Sequence, residues 1–482
     1  MSVSITTSSG PDRERTVVGR WHVASRPERS ITGTLTVPNV GRATLKLQGT
    51  LVGENWPSQN ETVIGLATDG LDVTLAHAGY RSQSAPWFSG IDYGEEQPPV
   101  SEETWDGWAV AVGAALPAGG ETTIDELVFR SRRLRDWAAP VGPKFEPATG
   151  PRTVGGHLSL PEDVEMTVPW GTLTLRWQIV GPYSTRGTNI RYFPELYLRL
   201  SQATTLDETW SLVVTPLLHF FSLITGEGDA LECLRYRTAS AKERDVWATD
   251  SFGQHLDDGW FEWVSSSWVT EPRNDEDVQY YKHPVPARAS LPDLACLLTR
   301  WIELEQRAEA PLLDYFSTLM WSSMTFEESF VHVVRALETL HSTINPGPRI
   351  PSAEFRAIKR KLRDALKYDP HRDLILGRLS HADQFSLRDR LVALLDGAGY
   401  RLQNYAGDLV VFARWVRDRR DGITHTSSLG TSDTVELHRA HVVLDLLMRS
   451  TLLREIGIPI LDLDEHVFRV DAARSLLYPI ES

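Results

Sequence analysis

The residues of this chain best suited to chemistry are Arg420 and His425, which close the two ends of the run Arg420-Asp421-Gly422-Ile423-Thr424-His425. A guanidinium keeps its proton and grips phosphate oxygens with a planar fork, so it supplies fixed positive charge where negative charge develops. An imidazole titrates near pH 6.5, at about that value when unperturbed, and so can carry protons at working pH. The pair fits cleavage of RNA without a metal. One group takes the 2′-hydroxyl proton, another protonates the leaving 5′-oxygen, and a cation stabilises the charged phosphorane. Taken bare, an Arg-x4-His pattern is more often a helix-capping arginine followed by an ordinary loop histidine.

The surrounding elements must therefore bring the two together. Leu402, Tyr405, Leu409, Phe412 and Val416 recur at helical spacing, and four residues further on the stripe reaches Arg420. This predicts one long helix with the guanidinium on the buried-facing side of its last turn. Gly422 is the predicted helix stop, after which Ile423 packs back and the chain delivers His425 close to Arg420. Upstream, Thr325 and Glu328 have capping-box spacing ahead of the stripe Phe330, Val333, Val334, Leu337, Leu340 and Ile344. More helices are expected around Leu294, Leu298 and Trp301, from Pro351-Ser352 to Tyr368-Asp369-Pro370, around Leu387, Leu391 and Leu394, and from Ser432-Asp433 through Val442 to Leu447.

The first part of the chain follows a different period. Ile31, Gly33, Leu35 and Val37 alternate with polar residues, as do Leu45, Leu47, Gly49 and Leu51, with a turn at Pro38-Asn39-Val40-Gly41 between them. This is the pattern of an antiparallel hairpin. Asp69-Gly70 predicts a second hairpin with a type I′ turn between Val63–Leu66 and Leu71–Leu75. Further strands are expected at 108–113, 124–129, 172–180 and 196–200, making an antiparallel sandwich or a pair of small sheets. Helical spacing begins near Asp207, with Thr205 and Glu208 as a capping box. The fold class is therefore α+β, a β-rich N-terminal region followed by an all-α bundle. The expected divisions are 1–205 for the β-rich recognition domain, 206–310 for a mixed connecting region and 311–482 for the helical domain.

Composition sets the limits. The chain has 482 residues and a formal charge of -15, which argues against coating nucleic acid over the whole surface, so any RNA contact must be local. Basic residues gather at Arg356, Lys359, Arg360, Lys361 and Arg363, and again at Arg414, Arg417, Arg419 and Arg420. Such runs are more often solvated helix faces than binding sites. The second run, with Arg414, Arg417 and Arg419, is the candidate RNA contact because it leads into the Arg420 motif. Cys233 and Cys296 make neither a disulfide framework nor a metal-ligand spacing, which predicts a reducing, cytoplasmic setting. No signal peptide is expected, and the apolar stretch from Trp210 to Thr225 is shorter than the ~20 residues of a membrane span and contains Pro216 and His219. It reads as a buried helix. Glu338 and His341 are three apart, as ligands on one helical face would be, but no second pair joins them, so no metal or other cofactor is expected. The acidic cluster Asp462, Asp464, Glu465 and His466 reads as a solvated segment.

In its context the motif resembles the HEPN family signature, Arg-x4–6-His, with Asp421 in the slot after the arginine where Asn, Asp or His is common. The run Phe330-Val-His-Val-Val-Arg-Ala-Leu-Glu-Thr-Leu-His341 is similar to the family's first helix, whose acidic residue faces the site; the resemblance gives that place to Glu338. Gly19-Arg20-Trp21, Gly33-Thr34-Leu35, Leu45-Lys-Leu-Gln-Gly49 and Arg300-Trp301-Ile302-Glu303-Leu304 extend the likeness to the ApeA type of bacterial anti-phage protein. The resemblance implies a metal-independent endoribonuclease of abortive infection that cuts tRNA or other cellular RNA. It implies a homodimer in which two HEPN domains share one cleft, a phage-derived trigger sensed by the N-terminal region, and no membrane partner. Arg420 and His425 carry over as catalytic, with Asp421 and Glu338 in support; Arg419 to His425 also satisfies the spacing. The rival is a non-catalytic HEPN protein that dimerises, binds RNA or senses phage without cutting.

Overall fold

In a computed structural model of the chain the described residues are 15–38, 42–51, 61–84, 102–117, 122–147, 156–180, 191–238, 248–249, 255–256, 260–265, 283–320, 324–379, 382–425 and 434–459. They divide into two units, one drawn from Met1–Ser222, Asp229–Tyr280 and Ala287–Ala295, the other from Leu223–Gly228, Tyr281–Pro286 and Cys296–Ser482.

In the first unit, strands β1 (Arg15–Val23), β2 (Ile31–Val37), β3 (Ala43–Gln48), β4 (Glu61–Ala67), β5 (Asp72–Ser84) and β6 (Glu102–Gly107) pair antiparallel in the order β5-β4-β1-β2-β3-β6. β6 pairs back onto β5, so the six strands close into a barrel without a free edge. The predicted alternation holds: Leu35, Val37, Leu45 and Leu47 point inward and pack with Trp21 and Trp105. A Cβ on Gly65 would lie 2.4 Å from the Trp21 ring, so a glycine in β4 lets the indole fill the barrel.

Both predicted hairpins form. Residues 39–41 of the first turn lie outside the described residues. The second turn is not type I′, which needs positive φ at both central residues; only Gly70 has it, at 87°, and its N–H donates to the Ala67 carbonyl at 2.9 Å. This is the three-residue loop in which a left-handed glycine follows a simple turn.

β5 outruns the barrel. Its residues Val73–Ala76 pair with β7 (Ala109–Val112) and Gly79–Ser84 with β6, and His77 between them takes φ 51°. Downstream come β8 (Thr123–Ser131), α1 (Arg132–Ala138), a hairpin of β9 (Lys144–Pro147) and β10 (Gly156–Ser159), then β11 (Val164–Val168), β12 (Gly171–Val180) and β13 (Arg191–Thr205). Helices α2 (Leu206–Thr209) and α3 (Thr215–Thr225) precede β14 (Leu231–Thr238), β15 (Ala248–Thr249), β16 (His255–Leu256), β17 (Trp260–Ser265) and α4 (Ala287–Ser290). From β7 the sheet continues β17-β14-β8-β13-β12-β11. Among the described residues the antiparallel strands expected as a sandwich or sheet pair form one 13-stranded sheet, curled shut at one end, beside the small pairs β9–β10 and β15–β16. Closure depends on pairings between strands far apart in sequence, such as β3 with β6, which local alternation does not reveal.

Because pleating sends successive side chains to opposite faces, the open part of the sheet sorts its residues. Leu127, Phe129, Leu196 and Leu198 share the apolar face, where Phe129 stacks on Phe221 of α3 at 6.4 Å and Phe221 meets Trp137 of α1 at 5.8 Å. The predicted capping box of Thr205 and Glu208 opens α2. On the other face Arg130, Arg176 and Arg235 surround buried Glu195 at 2.8, 2.7 and 3.1 Å. Burial alone would raise the Glu195 carboxyl, but these guanidiniums hold it below its ordinary value.

The second unit is helical: α5 (Leu294–Arg307, entering from the first unit), α6 (Glu309–Met320), α7 (Phe326–Ile344), α8 (Ser352–Ala365), α9 (Arg372–Arg378), α10 (Leu387–Asp396), α11 (Tyr400–Ala406), α12 (Leu409–His425) and α13 (Thr434–Glu455). The predicted capping box of Thr325 and Glu328 opens α7, whose Phe330, Val333, Val334, Leu337 and Leu340 are buried. α13 is buried around most of its girth, as a helix apolar on every side must be. It also buries Asp445 and Arg449. Tyr315 Oη donates to Asp445 Oδ1 at 2.8 Å and accepts from Arg449 Nε at 2.9 Å, and the same guanidinium reaches Asp445 Oδ2 at 2.9 Å and the Gly226 carbonyl.

One predicted helix is two. α11 ends at Ala406, Gly407 turns left-handed at φ 73°, and Asp408 Oδ1 accepts from the Val410 and Val411 amides at 2.9 Å, restarting the chain as α12. The stripe from Leu402 to Val416 had been continuous because both helices bury their faces in the same bundle.

Candidate active site

Three helices of the second unit meet at Glu338. It sits on α7, one residue beyond buried Leu337, with its side chain 35% exposed. From α12, Arg420 Nη2 donates to Glu338 Oε2 at 3.2 Å, and Arg420 Nη1 lies 3.3 Å from Asp421 Oδ1. From α10, Arg390 Nη1 donates to the Glu338 carbonyl at 3.1 Å, and Nε of the same fork donates to the Phe385 carbonyl at 3.0 Å. The Arg420 side chain is 30% exposed. Its fork is thus held by two carboxylates and still partly open to solvent, a geometry able to grip a phosphate.

The structure corrects the route to His425. Gly422 does not stop the helix: α12 runs through it to His425, Gly422 takes no positive φ, and beyond its chain neighbours and the helix's own backbone no described heavy atom lies within 4 Å of where its Cβ would be. Thr424 Oγ1 bonds the Arg420 and Asp421 carbonyls at 3.0 and 3.1 Å, as a helix interior allows. Without a left-handed C-cap there is no chain reversal at Ile423. Along one helix, positions five apart stand roughly 140° around the axis and about 7.5 Å along it. The side chain of His425 lies outside the described residues, as do Ser432-Asp433 and the cluster from Asp462 to His466.

The other basic residues of α12 differ among themselves. Arg417 Nε donates to Asp418 Oδ1 at 2.8 Å, Arg419 lies over the Trp415 ring at 5.9 Å, and Arg414 is exposed. Trp415 in turn meets Phe330 of α7 edge-on at 6.5 Å. His341, three residues from Glu338, is 3% exposed and packs against Phe385 at 5.4 Å. Burial, and then the charge of Arg390, lowers its pKa and favours the neutral imidazole. Among the described residues no three His, Cys, Asp or Glu side chains gather as metal ligands, and no helix is long and apolar enough to cross a membrane.

Two family models match. ApeA N-terminal domain 1 matches residues 16–255, and Apea-like HEPN matches residues 331–459, which hold Glu338, Arg390 and Arg420. The chain has the ApeA-type architecture. Together the two domains support an anti-phage protein of HEPN type. No curated protein and no solved structure matches the chain.

In this ApeA-type chain Arg390 is the member of the site that sequence reasoning missed, since nothing in Ser386-Leu387-Arg388-Asp389-Arg390 marks it apart from a solvated helix turn. The Tyr315, Asp445 and Arg449 network was missed as well, although Asp445 and Arg449, four apart within an otherwise apolar helix, are a legible sign of a buried ion pair.

Proposed function

We propose that this chain is a metal-independent endoribonuclease that cuts tRNA or other cellular RNA in the cytoplasm during abortive infection. The observation that carries the reading is the Arg420–Glu338 contact between α12 and α7 inside the segment matched as Apea-like HEPN. Arg420 binds the scissile phosphate and stabilises the phosphorane, with Glu338 and Asp421 setting the direction of its fork. His425 carries the proton, taking it from the 2′-hydroxyl as that oxygen attacks phosphorus and giving one to the 5′-oxygen as its bond to phosphorus breaks. The products are a 2′,3′-cyclic phosphate and a 5′-hydroxyl end. Arg414, Arg417 and Arg419 hold the neighbouring backbone.

A helix that carries both residues on one rigid rod fits a cleft shared by two copies, in which Arg420 of each chain can face the proton carrier of the other. A homodimer is therefore part of the proposal, and a phage-derived trigger acts through the β-rich region. The test is incubation of purified protein with total tRNA in EDTA. Cleavage by wild type and none by Arg420→Ala/His425→Ala supports the reading; cleavage by both, or arrest of growth that survives His425→Ala, counts against it.

A further inference from the structure

Of the 14 residues of α8 only Phe355 is buried. At about 100° per residue, Arg356, Lys359, Arg360 and Arg363 fall within a stripe roughly 100° wide, and from first to last the helix rises roughly 10 Å. Arg356, Arg360 and Arg363 are exposed and Lys359 is half-buried. Among the described residues none of the four pairs with a carboxylate, whereas Arg335, Arg349 and Arg420 of the same unit are each held by one. Arg356 bonds only back to the Ser352 carbonyl at 3.2 Å, and the Lys359 ammonium lies 5.3 Å from the Phe355 ring. In a chain with 64 acidic against 49 basic residues, partners for these cations are plentiful, so four neighbouring cations without a carboxylate, three of them exposed, form a local field opposite in sign to the whole.

The root of α8 is tied to the site. Arg349 Nη1 meets Asp389 Oδ2 at 2.8 Å and the Ile350 amide donates to the Asp383 carbonyl at 3.2 Å, fixing the entry to α8 against the start of α10. The next residue of α10, Arg390, is the one bonded to the Glu338 carbonyl. The entry to α8 is thus bonded to Asp389, the neighbour in sequence of the Arg390 that joins Glu338.

We propose that the Arg356, Lys359, Arg360 and Arg363 face of α8 is the docking surface that grips RNA phosphates and delivers the substrate to Arg420, an inference that rests on the nuclease reading above. A polyanion with evenly spaced charges matches a row of solvated cations, and its binding draws on counterion release rather than on shape.

The test uses the full chain with His425→Ala, which removes the proposed proton carrier, and measures binding of total tRNA in EDTA over a salt series. Adding Arg356→Gln/Lys359→Gln/Arg360→Gln/Arg363→Gln is expected to weaken binding on the order of a hundredfold near 0.1 M salt and to flatten the log–log salt slope by roughly three, with an unchanged melting midpoint. Arg356→Lys/Arg360→Lys/Arg363→Lys, which keeps the charge, should retain the affinity. Should the glutamine variant melt early, Arg360→Glu alone repeats the measurement at an exposed position. Equal affinity and slope in the variants, no tRNA binding by the parent, or binding of anionic vesicles in place of tRNA overturns the proposal. Cleavage by wild type is recorded alongside. If it cuts and the glutamine variant binds like the parent, docking alone fails; if the variant loses binding and wild type does not cut, the nuclease reading alone fails.

Discussion

Arg420 on α12 and Glu338 on α7 lie 82 positions apart in sequence, yet their side chains meet at 3.2 Å. Both are about a third exposed, so the pair contributes no more than about 1 kcal/mol to folding. Its significance is the direction it gives a guanidinium. Arg420→Ala is therefore expected to leave the melting midpoint within a few degrees of wild type while lowering the rate of RNA cleavage on the order of a hundredfold or more. Arg420→Lys should recover little, because an ammonium lacks the fork. Single-turnover cleavage and thermal melting of the same preparations check both halves.

Gly422 offers a sharper test of the helix. A glycine inside a helix costs roughly 0.5–1 kcal/mol relative to alanine. Since α12 runs through Gly422 and nothing crowds its missing side chain, Gly422→Ala should stabilise the chain by about that amount in urea unfolding. Destabilisation would mean that the residue ends the helix in a left-handed cap after all.

The buried network on α13 should behave in the opposite way. Asp445 and Arg449 are 8% and 7% exposed and share Tyr315. Removing one charge strands the other, so Asp445→Ala or Arg449→Ala alone is expected to cost about 3–5 kcal/mol. Replacing the pair with apolar residues of similar volume, Asp445→Leu/Arg449→Met, should cost less than either single change. A double-mutant cycle by chemical unfolding measures this.

Asp229 gives the first unit a pH dependence. It is 1% exposed, accepts from the Arg133 and Ala230 amides at 2.8 and 2.7 Å, and burial pushes its carboxyl up from 3.8 to about 7. Between those values the folded chain binds the more protons, so this group's contribution to stability falls as pH rises from about 4 to about 7 and is level on either side. The change is up to about 4 kcal/mol. Asp229→Asn keeps an acceptor for both amides and should remove the loss, making the variant more stable than wild type at pH 8 and little different at pH 4. Parallel unfolding curves at the two pH values decide it.

Much of the fold was legible because it is written in local periods. Alternation at Ile31–Val37 and helical recurrence at Leu294–Leu304 mark buried faces, and the pairs Thr205 with Glu208 and Thr325 with Glu328 satisfy the first amides of a helix from within a few residues. The β1 strand and the polar β6 strand carry no comparably clear local pattern. β6 carries Glu103 to the barrel interior, where it accepts from the Leu51 amide at 2.8 Å and the Trp105 indole at 3.3 Å. A carboxylate can be buried there only because partners distant in sequence satisfy it.

The sequence by itself determined the α+β order, the capping boxes that open α2 and α7, and the spacing of Arg420 and His425, since all of these depend on residue type and spacing, whereas Glu338 entered only through the family resemblance. Only the tertiary structure decided that the strands close as a barrel, that α12 continues through Gly422, and that Arg390 joins Glu338. Each of those depends on which surfaces meet. Helix continuation past a glycine and strand closure across a barrel are settled by packing and hydrogen bonding between distant segments, which outweigh a local preference worth about 1 kcal/mol.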